Sequence, residues 1–396
     1  MIDRLLIFTH KKNFLSKSIL IIYFLVLSCF VFYSYSQIDL NLTLSSNAVY
    51  QHIQSSLLYL GYFNRPLSTF FFTSLLVIFF LLYAVLICLC KKSILSGRAV
   101  LIIILASYGI LFFAYPAFSH DIFNYLFDAR IVTKYHLSPY NFTALNFPND
   151  LWTRFMHWTH RYFPYGPFWL LLTIPLSNIG QEKFVLTLML FKLMFLFFAL
   201  GNIWLVGKLC VRAKYSPTMS MVLFGMNPLI FIESVASPHN DVLILFFSLA
   251  GLFLLFRKQR IASFITFLLG VGVKFTPIIY LPLALFSERF LRDKEKLYVI
   301  LFLLNTLVLL PVIFLREPYP WYFIPLIAFS ILSGKKLLIF LMAGFSMGLL
   351  LRYAPFLYYG DYGASTSIFQ SILTVISLFA GIVAYLIYWK KTSHAK

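Results

Sequence analysis

Residues 99–121 read AVLIIILASYGILFFAYPAFSHD. A helix needs about 20 mostly apolar residues to cross a bilayer. Ala99 to Phe118 supplies them, and the polar triplet Ser119-His120-Asp121 follows at once. Comparable apolar runs recur at 19–35, 69–90, 184–206, 217–232, 241–256, 261–286, 297–315, 320–333, 337–353 and 365–389. Of the 396 residues, 61% are hydrophobic, 19% aromatic and 11% charged, where a soluble domain carries roughly 25% charge. That excludes a soluble domain, and such hydrophobicity also excludes disorder. The composition predicts an all-α polytopic membrane protein, one integral membrane domain over 1–396, with about 10–12 transmembrane helices.

The formal charge is +19, from 32 Lys+Arg against 13 Asp+Glu. In a soluble protein this balance would suggest nucleic acid. Here the basic residues collect in short loops, as the positive-inside bias requires. Those loops hold Lys91, Lys92 and Arg98; Lys208, Arg212 and Lys214; Arg257, Lys258 and Arg260; Arg289, Arg292, Lys294 and Lys296; Lys335 and Lys336; and Lys390, Lys391 and Lys396. With these inside, both termini are cytoplasmic, and connections 37–68, 119–166, 233–240, 316–319 and 354–364 face outward. The run from Ile19 to Tyr35 follows Lys11, Lys12 and Lys17 but has no small-residue cleavage site, so it reads as a retained anchor. Cys29, Cys88, Cys90 and Cys210 lie in or beside apolar runs and form no CxxC pair, which argues against disulfides and zinc.

Two runs resist simple counting. Segment 167–179 is short and holds Pro167 and Pro175, so it reads as a re-entrant or interfacial helix. Run 261–286 has basic loops at both ends and is interrupted by Gly270, Gly272, Lys274 and Pro277. Broken backbone at membrane depth survives only where protein or a watery cavity covers it, so a functional site is expected there.

Ionisable residues near membrane segments are functional candidates, and they form three groups. In the first, Asp121, Tyr125 and Asp128 share a helix face at spacings of four and three, with Asn124 and Arg130 alongside. A carboxylate there suits a general base, or Asp121 simply caps a helix. The second is Tyr162-Phe-Pro-Tyr165-Gly-Pro167-Phe-Trp169, an aromatic turn or an interfacial belt. His157 and His160 stand near it without a carboxylate pattern that would make them a metal site. The third joins Asn227-Pro228, Glu233 and Pro238-His239-Asn240-Asp241 to Lys274, which is either a snorkelling lysine or an anion site.

In this order, Ser119-His-Asp121 through Tyr125, Leu137-Ser-Pro-Tyr140, Tyr165-Gly-Pro167, Asn227-Pro-Leu229, His239-Asn-Asp241 and Lys274 with Pro277 form a set. Over residues 110–285 the chain resembles the polyprenol-phosphate-mannose-dependent mannosyltransferases of the GT-C superfamily, specifically the bacterial α-1,6-mannosyltransferase branch. Trp321-Tyr322 weakly matches a late aromatic motif. The resemblance implies a GT-C-like bundle with outer-face loop or re-entrant helices, its catalytic site within 119–180. It implies transfer of a hexose, most simply mannose, from a polyprenyl-phosphate donor to a hydroxyl of an envelope glycolipid or glycan, on the extracytoplasmic face of the cell membrane. Asp121 becomes the general base. Lys274, Arg130 and His239 become candidates for the donor phosphate. His120, Tyr125, Asp128, Tyr165, Asn240 and Asp241 become candidates for sugar or acceptor. A divalent metal is possible in such enzymes, but no ligand spacing here demands one, and no nucleic-acid partner is implied. Two departures stand out: three spans precede the candidate base, and loop 37–68 offers Asp39, Gln51, His52 and Gln54 as further acceptor contacts.

The principal alternative is a secondary transporter or lipid flippase. Those place broken helices and ionisable groups near the midplane, often within internal repeats, whereas here the polar clusters belong to one face and no repeat is visible. A lipid-binding assembly factor, or a transferase of phosphoethanolamine or acyl groups, lacks a supporting motif.

Overall fold

The computed structural model describes residues 2–40, 42, 45–210, 216–285, 293–315 and 317–393. Arg212, Lys214, Arg289, Arg292 and Lys396 lie outside the described residues. Among those described there is no strand. The first helices are α1 (Ile2–Ser34), α2 (Ala48–Leu58), α3 (Arg65–Lys91), α4 (Gly97–Leu111) and α5 (Asp121–Thr133). Next come α6 (Pro167–Gly180), α7 (Phe184–Leu209), α8 (Pro217–Gly225), α9 (Pro228–Phe231), α10 (Asp241–Phe256), α11 (Arg260–Val273) and α12 (Leu281–Leu285). The last are α13 (Lys294–Leu315), α14 (Ile324–Leu332), α15 (Lys336–Leu351), α16 (Tyr353–Tyr359) and α17 (Ala364–Ser393).

Among the described residues six stretches are long and apolar enough to cross a membrane: Lys17–Gln37, Arg65–Lys91, Phe184–Leu209, Lys294–Leu315, Lys336–Tyr359 and Ala364–Ser393. This is a multi-pass membrane protein. The pair α8 and α9, the latter running on to Ala236, is apolar enough when taken together but is bent by 63°, the shape of a broken span or a re-entrant loop. The other apolar runs fold into shorter helices, α4, α6, α10 and α11 among them. At 1.5 Å per residue, the 15 residues of α4 reach about 22 Å, less than the roughly 30 Å hydrocarbon core. The expected 10–12 crossings counted these shorter helices alongside the long ones.

Local chemistry explains the boundaries. Ser96 and Ser216 accept a backbone N–H from Ala99 and Met219, each at 3.2 Å, as N-caps. Pro167, Pro217 and Pro228 occupy the first helical turns, where no N–H is missed. The Asn227-Pro228 motif is the bend itself: Asn227 Oδ1 accepts the Leu229 N–H at 3.0 Å while its amide reaches Ser346 Oγ. One buried apolar cluster runs from Tyr23 to Leu357.

The polar connections gather at two ends. At one, Lys336 donates to Tyr388, Lys91 and Lys336 lie over the Tyr388 ring, and Lys335 pairs with Glu295. At the other lie three sets joined by hydrogen bonds or ion pairs: Ser119 with His239 and Glu233, Asp241 with Lys274, and Glu317 with Arg352. Lys192, buried within α7, donates to the carbonyl of Ala114. It satisfies a carbonyl just beyond the end of α4 and ties down the segment that leads into Asp121.

The interrupted run 261–286 breaks where its glycines and proline predicted. Helix α11 ends at Val273, Lys274 is extended, and a tight 3-10 turn at Thr276–Tyr280 leads into α12. Its last carbonyl is met from outside, because Gly166 N–H donates to Val273 O at 3.0 Å. Only glycine allows this approach: a Cβ on Gly166 would sit 2.2 Å from the Gly272 carbonyl oxygen. The aromatic turn before α6 is thus fastened to the backbone that carries Lys274. Gly166→Ala is expected to push these segments apart at a cost of about 1–3 kcal/mol, read as a lowered unfolding temperature in detergent. An unchanged midpoint would mean that the contact is loose.

Candidate active site

Helix α5 begins at Asp121, and His120 holds the N-cap position without a side-chain cap bond. Asp121 is therefore not spent on capping. Its backbone N–H reaches Ser119 Oγ at 3.3 Å, and its carboxylate lines a small pocket with Asn124, Asp128, Trp158, Arg161, Tyr162, Pro164 and Tyr165. Burial raises the Asp121 carboxyl to about 6, against the lowering pull of Arg161 and Lys274. Burial likewise raises Asp128 to about 8, with Arg161 again opposing. At neutral pH Asp121 is ionised and basic, while Asp128 holds its proton and can donate a hydrogen bond. Two carboxyl groups on one face of a helix thus carry different charge, a division suited to acid–base work.

An ion pair also acts on Asp121. Lys274 Nζ lies 3.1 and 3.2 Å from the two oxygens of Asp241, the first residue of α10. The ammonium also sits 4.9 Å from the Tyr322 ring centroid. Lys274 is not snorkelling away: its extended backbone turns it into a cavity of about 290 Å³. Asp241, Lys274, Tyr280, Asn305 and Tyr322 give that cavity polar walls, while Ile244, Val308, Leu309, Val312 and Leu315 give it apolar ones. Asn305 and Tyr280 hydrogen-bond each other at 2.8 Å, so their polar atoms are already paired.

Several expected contacts are corrected by burial. Arg130 does not face the cavity. Its guanidinium is buried against Asp150, Nε to Oδ2 at 2.7 Å, and lies 4.1 Å from the Trp152 ring centroid. Tyr135 donates to the same carboxylate oxygen at 2.7 Å. Arg130 therefore braces the loop after α5 and is not placed to meet a donor phosphate. His239 is also inaccessible to phosphate: it is fully buried, stacked on Trp321 at 3.7 Å, with Nε2 2.9 Å from Ser119 Oγ and 3.8 Å from Asp121 Oδ2. Tyr125 is buried edge-on against Tyr165 and Trp169 and supports the pocket from behind. Asn240 is buried at the start of α10, where its carbonyl accepts the Leu243 and Ile244 N–H groups. His120 stacks on His157 at 3.8 Å and meets the Phe155 carbonyl through Nδ1 at 2.9 Å, at the rim of the site. Asp128 and Tyr165 line the pocket with Asp121, and Asp241 lines the cavity with Lys274.

The residues missed from sequence are Arg161, Trp158 and Tyr353. Arg161 was legible as a cation in a loop assigned to the face where basic residues are depleted. Tyr353, which donates to Glu233 Oε1 at 2.9 Å, left no local signal. Among the described residues no three His, Cys, Asp or Glu side chains converge as metal ligands.

Breaking the Arg130 brace should matter for folding. Asp150→Leu strands a buried guanidinium, an expected loss of about 3–5 kcal/mol, to be read by thermal unfolding in detergent. A loss below 1 kcal/mol would mean that water reaches Arg130 freely.

Residues 43–287 match the family described as alpha-(1->6)-mannopyranosyltransferase, N-terminal domain. The chain is 23% identical over 173 residues to alpha-(1->6)-mannopyranosyltransferase A of Corynebacterium glutamicum, covering 43% of this chain and 35% of that protein. It is 27% identical over 168 residues to alpha-(1->6)-mannopyranosyltransferase A of Mycobacterium tuberculosis, covering 42% and 32%. Against alpha-(1->6)-mannopyranosyltransferase B of Corynebacterium glutamicum the identity is 26% over 147 residues, 35% and 23% of the two chains. The matched region thus spans about a third or less of these relatives. No solved structure matches the chain. Asp121, Asp128, Arg161, Asp241 and Lys274 all fall within the matched region, and the chain belongs to the alpha-(1->6)-mannopyranosyltransferase family.

Proposed function

We propose that this protein is a membrane mannosyltransferase. It moves mannose from a polyprenyl-phosphate donor to a hydroxyl of an envelope glycolipid or glycan by one inverting displacement, with Asp121 as general base. The observation that carries the reading is that Asp121 lines a polar pocket and feels the charges of Lys274 and Asp241, which line a part-apolar cavity. The relatives' names supply the sugar and the linkage.

The two cavities divide the chemistry. An amphiphilic donor suits the Lys274 side, its isoprenoid chain along Val308, Leu309, Val312 and Leu315 and its phosphate at the ammonium. The Asp121 pocket is only about 10 Å³, so an acceptor sugar suits its rim, where Trp158 and Tyr162 offer ring faces and Asn124, Asp128 and Arg161 offer hydrogen bonds. The acceptor hydroxyl gives its proton to Asp121 as its oxygen attacks the anomeric carbon. The bond to the phosphate oxygen breaks on the opposite face. Phosphate needs no acid to leave, unlike the alkoxide in glycoside hydrolysis; the developing charge needs a cation, which Lys274 supplies. A β-linked donor gives an α-linked product by this route. The end of the bundle holding Asp121 faces outward, and the end holding Lys91, Lys335 and Lys336 faces the cytoplasm, as the positive-inside bias directs.

The test is transfer by the protein in lipid vesicles, with radiolabelled polyprenyl-phosphate-mannose and a mannoside acceptor. Because only ionised Asp121 is a base, kcat should be flat at high pH and fall about tenfold per pH unit below about 6. A rate independent of pH from 5 to 8 would remove Asp121 from the proton transfer. Lys274→Met should lower kcat/KM for the donor by about a hundredfold or more. Wild-type kinetics in that variant would place the phosphate elsewhere. Movement of lipid across the bilayer without transfer would favour a flippase.

A further inference from the structure

The buried pair behind Asp121 has no role in the reaction as drawn. Glu233 and His239 are both fully buried. Glu233 Oε2 and His239 Nδ1 face each other at 3.2 Å, yet neither has an aligned hydrogen bond. Unsatisfied polar atoms buried at a site call for an explanation, and bonds in a resting site often straighten only when substrate binds. A proton shared between these two atoms satisfies both.

Charge decides where that proton rests. The carboxyl of Glu233 is influenced by two other carboxylates, Asp121 and Asp241. Among the described residues the cations acting on these two carboxylates are Lys274, bonded to Asp241, and Arg161, which acts on Asp121. A third buried anion in this group would be uncompensated, so Glu233 is the neutral acid. Its Oε1 then accepts from Tyr353 at 2.9 Å, as observed, and its Oε2–H points at Nδ1. An imidazole that accepts at Nδ1 must carry its own proton on Nε2. That N–H donates to Ser119 Oγ at 2.9 Å and faces Asp121 Oδ2 at 3.8 Å. The ring plane is fixed by stacking on Trp321, itself stacked on Tyr319.

We propose that Glu233 is a positioning residue: by donating to His239 Nδ1 it fixes the Nε2–H tautomer, which keeps Asp121 ionised and aimed at the acceptor hydroxyl. This rests on the reading of Asp121 as base. Without the Glu233 donor, Nδ1 takes the proton toward the nearby carbonyls of Glu233 and Ser237, and Nε2 turns a lone pair on the Asp121 carboxylate. The groups facing this set are Ser119, Arg161, Asp241, Lys274 and Tyr353, and the variants below leave all of them in place.

The test compares Glu233→Met with Glu233→Gln in the full chain in lipid vesicles. The methionine variant should lose about ten- to a hundredfold in kcat. Its donor KM should stay near wild type, and its acid limb should move to higher pH because Asp121 loses a neighbouring N–H. The glutamine variant keeps a donor for Nδ1 and an acceptor for Tyr353, so it should recover at least about a third of the rate. Wild-type kcat and acid limb in Glu233→Met, or equal loss in both variants, would overturn the proposal. Nitrogen-15 NMR of labelled histidine, with His239→Gln for assignment, reads the tautomer without turnover. It should give Nε2–H in wild type and Nδ1–H in Glu233→Met, and the same tautomer in both would overturn the proposal even if wild type transfers nothing. Absence of transfer by wild type would count against the mannosyltransferase reading, and the tautomer would still decide the role of Glu233.

Discussion

The bond between Lys274 and Asp241 holds the site together. It joins the extended backbone after α11 to the first turn of α10. Around it the other parts are fastened in sequence. Gly166 closes on Val273, which brings the aromatic turn and α6 against the break. Ser119 bonds His239, which brings the start of α5 against the start of α10. A mostly buried ion pair adds little net stability by itself, because desolvation offsets the attraction. Its value here lies in placing one cation where a broken helix would otherwise leave unmet backbone groups. The same break that costs helix hydrogen bonds opens the cavity on the Lys274 side of Asp121.

Much of this was legible in the sequence because it depends on local patterns. Apolar runs set the helices, Ser and Asn caps and first-turn prolines set their starts, and the glycines at 270 and 272 announced the break near Lys274. The spacing of Asp121 and Asp128 put both carboxyl groups on one face, as found. What sequence could not supply was burial. Arg130 looked like a phosphate ligand because its partner Asp150 arrives from a loop that folds back over it. His239 looked accessible because Trp321, which covers it, lies in a distant connection. Length was the other blind spot: the hydrophobic run 99–118 looks like a span in one dimension, but its helix stops at Leu111 in three.

The site also shows how one fold end tunes similar groups differently. Asp121, Asp128, Glu233 and Asp241 are four acids in one neighbourhood. Asp241 is paired with Lys274, Asp128 is held neutral by burial, and Asp121 is left near 6 with Arg161 and Lys274 opposing its burial. Glu233, the most enclosed, touches a histidine and a tyrosine only through hydrogen-bonding atoms. Environment, not residue type, separates a base from a structural acid.

The central claim is that one carboxylate carries the proton transfer. The most direct measurement is mannosyl transfer from polyprenyl-phosphate-mannose by Asp121→Asn beside wild type, with both shown to be folded by matching unfolding profiles. Asparagine fills the same space but cannot take the proton, so the rate should fall by about 10²–10⁴-fold, with donor binding retained. A folded Asp121→Asn protein that transfers mannose at the wild-type rate would contradict the account.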